Sequence, residues 1–129
     1  MEAPIRHAES ALQSSCVQWF RLQYPALALH LFAIGNGVPA NARQGAIRKR
    51  EGSVPGVADL FLMVPSGDLH GLFIEMKSPT GTVSQVQKDF IIRATDAGYV
   101  HSTCRSIEQF MAVIRIWMKD VNIAVTERS

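Results

Sequence analysis

Apolar residues recur along this chain in two rhythms, and the rhythms predict its elements. Ile5, Ala8, Leu12, Cys16, Trp19 and Phe20 fall near one stripe at helical spacing, which predicts a first helix over residues 5 to 24 that Pro25 ends. Residues 27–34 read as a strand closed by the turn pair Asn36-Gly37. Residues 40–50 are predicted helical, with a basic last turn that suits the helix dipole. Gly52, Pro55 and Gly56 then break the chain ahead of two short apolar runs, 60–64 and 72–74, which read as buried strands. Between them Pro65-Ser66-Gly67-Asp68 favours a hairpin turn. Ser84 is placed to cap a helix that Gly98 stops, with Val86, Phe90, Ile91 and Ala94 facing the core. Residues 99–104 form a further strand. Ser106 and Gln109 fit a capping box that opens a last helix, burying Phe110, Ile114, Trp117 and Met118. From Val121 onward the pattern fits a short strand or a disordered end equally. The order α-β-α-β-β-α-β-α predicts an α/β fold with a mixed central sheet flanked by helices.

Composition narrows the class. A chain of 129 residues, 47% hydrophobic and without repeats or an internal linker, is expected to be a single domain over residues 1–129. Its net charge of +2 excludes a polybasic chain, so any nucleic-acid surface must be a local patch. Cys16 and Cys104 lack metal-ligand spacing and are expected to pack as reduced, small hydrophobes. Trp19 and Trp117 sit at core-facing helical positions, and the four histidines show no ligand spacing. Met1-Glu2-Ala3-Pro4 does not resemble a signal peptide, and no apolar run reaches the ~18 residues that span a bilayer. The expected location is the cytoplasm of a bacterium or of a phage-infected host.

Chemistry concentrates between Val57 and Lys77. Asp59, Glu75 and Lys77 are the charged residues at the edges of an otherwise apolar hairpin. With the hairpin centred on Gly67, Asp59 stands opposite Glu75, two carboxylates about 5 Å apart that repel one another. A divalent cation turns that repulsion into attraction. Glu75 and Lys77 share a strand face, roughly 7 Å apart. Pattern alone leaves two readings open: a solvated Glu–Lys pair with Asp59 merely opening a strand, or a metal site. The apolar flanks favour the second, because an uncompensated buried carboxylate costs several kcal/mol.

Asp59 followed by Glu75-Met76-Lys77 resembles the Asp…Glu-x-Lys core of the PD-(D/E)XK nucleases. The neighbouring residues sharpen the likeness: Gly52, Pro55 to Asp59, Gly71 to Lys77, Gly81, Ser84-x-x-Gln87 with Lys88, and Gly98-Tyr99. Together they resemble the VRR-NUC branch of that superfamily over residues 36–99, within an expected domain core of 36–104, with a weaker fit at Glu9 and Gln13. Ala58 departs from the family's usual proline before the aspartate. The resemblance implies a restriction-endonuclease-like fold. It also implies that Asp59, Glu75 and the backbone carbonyl of Met76 hold Mg²⁺, for which Mn²⁺ substitutes. Glu9 would complete the metal site, Lys77 would orient the attacking water or stabilise charge on the phosphate, and Gln87 would help place either.

Four of the thirteen basic residues, Arg43, Arg48, Lys49 and Arg50, cluster just before Gly52, and with Lys88 they are the candidate DNA contacts. A charged helix end is usually only a solvated face; the nuclease resemblance is what raises these residues above that. The resemblance, with the small size of the domain, implies a Mg²⁺-dependent, structure-selective DNA endonuclease resolving four-way (Holliday) junctions as a homodimer, whose two sites match the junction's symmetry. Two alternatives stand beside it: a non-catalytic DNA-binding module with a structural acid pair, and a nuclease cutting linear or flap DNA.

Overall fold

A computed structural model describes residues 2–35 and 39–121, with side chains from His7 onward. The N-terminal stripe forms helix α1, Glu2–Gln23, which buries Cys16 and Phe20 and packs Leu12, Val17 and Trp19 against the core. Pro25 ends it as expected, but the strand expected over residues 27–34 is much shorter. Pro25–His30 coils into a 3-10 turn, and only Leu31–Ala33 forms strand β1. A strand would have put Leu27 and Leu29 on one face. Instead Leu27 is buried and Leu29 is 80% exposed. Proline's locked φ suits the first position of a helical turn. Arg21 steadies that turn by donating to the carbonyls of Ala28 and Leu31, at 3.1 and 3.2 Å.

The Asn36-Gly37 turn lies outside the described residues. Helix α2, Ala42–Arg50, buries none of its side chains and begins at Asn41, whose side chain accepts from Gln44 N at 2.9 Å. Strands β2 (Leu60–Leu62) and β3 (Leu72–Met76) then pair antiparallel, Leu60 with Ile74 and Leu62 with Leu72. That is the register of a hairpin centred on Gly67. β2 stops at Leu62, short of the expected residue 64, while β3 runs two residues beyond the expected 74. The extension follows from β3's second neighbour, strand β4 (Val100–Cys104), which pairs parallel and matches Glu75 with Thr103 and Met76 with Cys104. Helix α3, Gln85–Asp96, is the crossover that a parallel pair requires. The sheet order is β1-β2-β3-β4.

Strand alternation gives the sheet two different faces. Leu31, Leu60, Leu62, Leu72, Ile74, Met76 and Cys104 meet α1 and helix α4 (Ile107–Met118) in the main core, with Phe110, Ile114 and Trp117 from α4. The opposite face carries Phe32, Phe61, Phe73 and His101 in one row across the strands. Helix α3 covers this row, with the Phe90 ring edge-on to Phe73 at 5.0 Å. Of the expected α3 core positions, Ala94 is buried and Phe90 and Ile91 are half-buried, but Val86 is 43% exposed. The correction has a local cause: at Val86 the backbone, not the side chain, makes the close contact. Met118 on α4 is likewise half-buried rather than buried.

Helix α4 also fastens the hairpin. Trp117 Nε1 donates to the Val64 carbonyl at 2.8 Å, and Ser66 Oγ donates to the Trp117 carbonyl at 2.6 Å. Gly67 N donates to the Asp120 carbonyl at 3.1 Å. At the helix start, Ser106 Oγ accepts from Gln109 N, but the Gln109 side chain reaches past the cap and accepts from Arg105 N at 2.7 Å. The capping box expected there is therefore only half formed. Both cysteines are free and buried, and burial pushes the Cys16 thiol up to about 12. Among the described residues no helix is long and apolar enough to cross a membrane.

Trp117→Phe removes the indole donor and leaves the Val64 carbonyl buried without it, at a cost of about 1–3 kcal/mol. Urea unfolding should show a lower midpoint with unchanged slope. An unchanged midpoint would show that this hydrogen bond does not stabilise the hairpin.

Candidate active site

Carried one step past its last pair, the β2–β3 register sets Asp59 opposite Glu75. Asp59 is held on both sides. Its carbonyl accepts from Ile34 N at 2.8 Å, and its Oδ2 accepts from Met76 N at 2.7 Å. Glu75 is only 5% exposed, and its Oε1 is buried with no hydrogen-bond partner among the described residues. Burial pushes the Glu75 carboxyl from 4.5 up to about 9; the hydrogen bond to Asp59, the Asp59 charge and the Glu9 charge add to this, and Lys77 opposes it. At neutral pH and without a cation, the pair therefore retains a proton. An orphaned, dry carboxylate oxygen facing a second carboxylate is a donor set that fits a hard divalent ion.

Glu9 reaches this region from α1, where its Oε1 accepts from Ser78 N at 3.1 Å. One of its oxygens is thus engaged with the chain just after Lys77. Among the described residues, no group of three or more His, Cys, Asp or Glu side chains converges as a metal cage. The acids that stand together are Asp59 and Glu75, with the backbone of Met76 between their strands.

A cleft of about 480 Å³ opens over the pair, walled by Arg48 and Lys49 of α2, Ser53, Pro55 and Gly56 of the following loop, and Gln87 of α3. The loop can approach α3 because Gly56 has φ +87 and no side chain; a Cβ there would strike the Val86 carbonyl and Gln87 N. Gln87 belongs to a complete capping box: its Oε1 accepts from Ser84 N at 2.8 Å, and Ser84 Oγ accepts from Gln87 N at 3.3 Å. A larger cavity, about 570 Å³ between α1 and β1, has no carboxylate in its lining and lies away from this chemistry.

The structure thus brings Arg48, Lys49, Asp59, Glu75 and Gln87 into one cleft, with Lys77 acting on Glu75 by its charge. Arg43, Arg50 and Lys88 are exposed and do not wall it. Two further residues stand near the site, His101, to which the spacing of the histidines gives no role, and Arg105. His101 lies on the Glu75 face of β4, with Nε2 buried and unpartnered among the described residues; burial lowers its proton affinity against the pull of Asp59. Alternation along residues 99–104 could have placed it there. Arg105 donates from Nη1 to the carbonyls of Ser78 and Gly81, at 2.8 and 2.5 Å, and no spacing in the sequence points to it.

Asp59 and Glu75 thus face each other on neighbouring strands of a mixed sheet set between helices, with Lys77 two residues on. The VRR-NUC domain model matches residues 5–108, and the chain belongs to that family. A solved chain described as a VRR_NUC domain protein is similar in fold: TM-score 0.76 and 24% identity, over 88% of this chain and 89% of that one. No curated protein matches the chain.

Two outcomes follow from this geometry. Between pH 4.5 and about 9 the folded metal-free protein holds a proton on the Asp59–Glu75 pair that the unfolded chain releases. Stability in EDTA should therefore fall as pH rises through that window, by at most about 1.4 kcal/mol per pH unit from this group. Glu75→Gln should lack this contribution, so identical pH profiles for the two proteins in thermal melts would contradict the assignment. Gly56→Ala combines a left-handed φ with a backbone collision and should destabilise the fold by about 2–3 kcal/mol. A melt matching the wild type would show that the loop does not rest on α3.

Proposed function

We propose that this chain is a Mg²⁺-dependent, structure-selective DNA endonuclease, acting on four-way junctions as a homodimer in the cytoplasm of a bacterial or phage-infected cell. The observation that carries the reading is the facing pair Asp59 and Glu75, with Glu75 Oε1 buried and unpartnered among the described residues. Asp59, Glu75 and the Met76 carbonyl would hold the ion, and Mn²⁺ should substitute for Mg²⁺ because the ligands are hard oxygens. When bound, the ion would supply the positive charge that lets both carboxylates ionise, and Lewis acidity at the phosphodiester.

The remaining work falls to the chain's own side chains. Lys77 offers an ammonium to the attacking water or to the charge that builds on the phosphate oxygens. Gln87 has its Oε1 engaged at the helix cap, which leaves the Nε2 hydrogens to donate to a phosphate at the cleft wall. Arg48 and Lys49 line the same cleft and suit the flanking phosphates. Arg43, Arg50 and Lys88 would extend the contact outside it. Glu9, which accepts from Ser78 N and adds negative charge near Glu75, would complete the metal site. The junction preference and the dimer rest on the family's character and on the small size of the domain, since two symmetry-related sites suit a symmetric substrate.

The test is cleavage of labelled four-way junction and matched linear duplex in Mg²⁺, Mn²⁺ or EDTA. Metal-dependent paired nicks on the junction are expected. Asp59→Ala and Glu75→Ala should each lower cleavage by at least about 10³-fold while DNA affinity stays within a few fold. Preference for linear or flap DNA would replace the junction reading. Metal-independent binding without cleavage of any substrate would replace the enzyme with a binding module.

A further inference from the structure

The chain segment that follows Lys77 is gripped from two sides. Ser78 N donates to Glu9 on α1, while Arg105, at the junction of β4 and α4, donates from Nη1 to the carbonyls of Ser78 and Gly81. Gly81 N also donates to the Ser78 carbonyl at 3.2 Å, so residues 78–81 close a four-residue turn. The first and last carbonyls of that turn meet on one guanidinium nitrogen. Lys77 N donates to the carbonyl of Cys104, the residue before Arg105, at 3.0 Å. Two adjacent residues thus hold both the backbone of Lys77 and the turn beyond it.

The turn also borders the lysine side chain. A Cβ on Gly81 would lie 3.4 Å from Lys77 Cδ and 3.1 Å from Ser78 Oγ, so the lysine stem runs alongside Gly81. Past the turn the chain leads to Ser84 and Gln87 at the start of α3. Arg105 is not among the residues that wall the cleft.

Resting on the nuclease reading above, we propose that Arg105 is a positioning residue: by clamping the 78–81 turn it sets the path of the Lys77 stem and hence the place of its ammonium beside Asp59 and Glu75. Arginine suits the task because its guanidinium stays charged at all working pH and meets acceptors in a planar fork. Small errors in such placement are costly, since about 1 Å can lower a rate by roughly 10²-fold.

The experiment compares wild type, Arg105→Ala, Arg105→Lys and Gly81→Ala in cleavage kinetics, with circular dichroism and melting on the same preparations. Arg105→Ala should stay folded and lose about 10²-fold in kcat, with the KM for DNA and the half-saturating Mg²⁺ concentration within about threefold of wild type. Arg105→Lys should recover part of the loss, because an ammonium keeps the charge but not the planar fork. Gly81→Ala keeps Arg105 but sets a Cβ 3.1 Å from Ser78 Oγ and against the lysine stem, inside the turn that Arg105 holds, and its kcat should fall too. A wild-type kcat in Arg105→Ala, or a loss matched by the unfolded fraction, overturns the proposal. If Arg105→Ala does not fold, wild-type kcat in both other variants overturns it. An activity-independent readout is the NMR signal of ¹³C-methylated Lys77, which should shift in Arg105→Lys. If the wild type cuts no DNA, the nuclease reading fails, and an unshifted Lys77 signal is then what sinks the clamp.

Discussion

Asp59 and Glu75 face each other across the β2–β3 ladder, and two like charges so placed cannot both stay ionised away from water without a compensating cation. Much of the surrounding architecture serves to hold them there. β3 is an interior strand, paired on both edges, which fixes the backbone that carries Glu75. Asp59 is tied through its carbonyl to Ile34, the residue after β1, and through its carboxylate to Met76 N. A surface acid pair would relax by rotating apart; this one stays repulsive until a proton or a cation enters. The tension in the site is a property of the sheet, not of the cleft residues around it.

The two sheet faces divide the labour. One is aliphatic and joins α1 and α4 in the main core, where both cysteines are buried. The other is aromatic and roofed by α3, and its polar end, reached through Phe73 and then Glu75, opens into the cleft. Helix α2 has no buried side chain, so its role is tied less to the core than to the basic wall it supplies. A net charge of only +2 is compatible with that wall because the positive charge is local and faces acids.

Much of this was legible in the amino-acid sequence, for identifiable reasons. The hairpin register could be read because Pro65 to Asp68 permits few turns and the apolar runs on either side must stay in phase. The capping residues Asn41, Ser84 and Ser106 advertise helix starts through short-range chemistry, although only Ser84 and Ser106 had been singled out. The strand expected from residue 27 failed because a run of alternating Leu and Ala suits a strand and a 3-10 turn alike, and Pro25 together with Arg21 decided for the turn. Val86 failed because helical periodicity registers side chains, whereas its contact with Gly56 is made by backbone. Arg105 could not be seen at all. Its acceptors are main-chain carbonyls 24 and 27 positions away, and carbonyls leave no mark on a sequence pattern.

The bonds between Trp117 and the hairpin carry a temporal implication. They join residues 51 and 53 positions apart, and the later partner belongs to the last helix described. In a chain made from its N-terminus, Val64 and Ser66 leave the ribosome well before the helix that fastens them. Until Trp117 arrives, the hairpin lacks its far anchor, and a slip of one residue would send Asp59 to the opposite face of the sheet. The facing acids are thus secured only once helix α4 has been made, so a chain stopped before it would have its acidic residues already in hand but not yet the fastening that keeps them aligned.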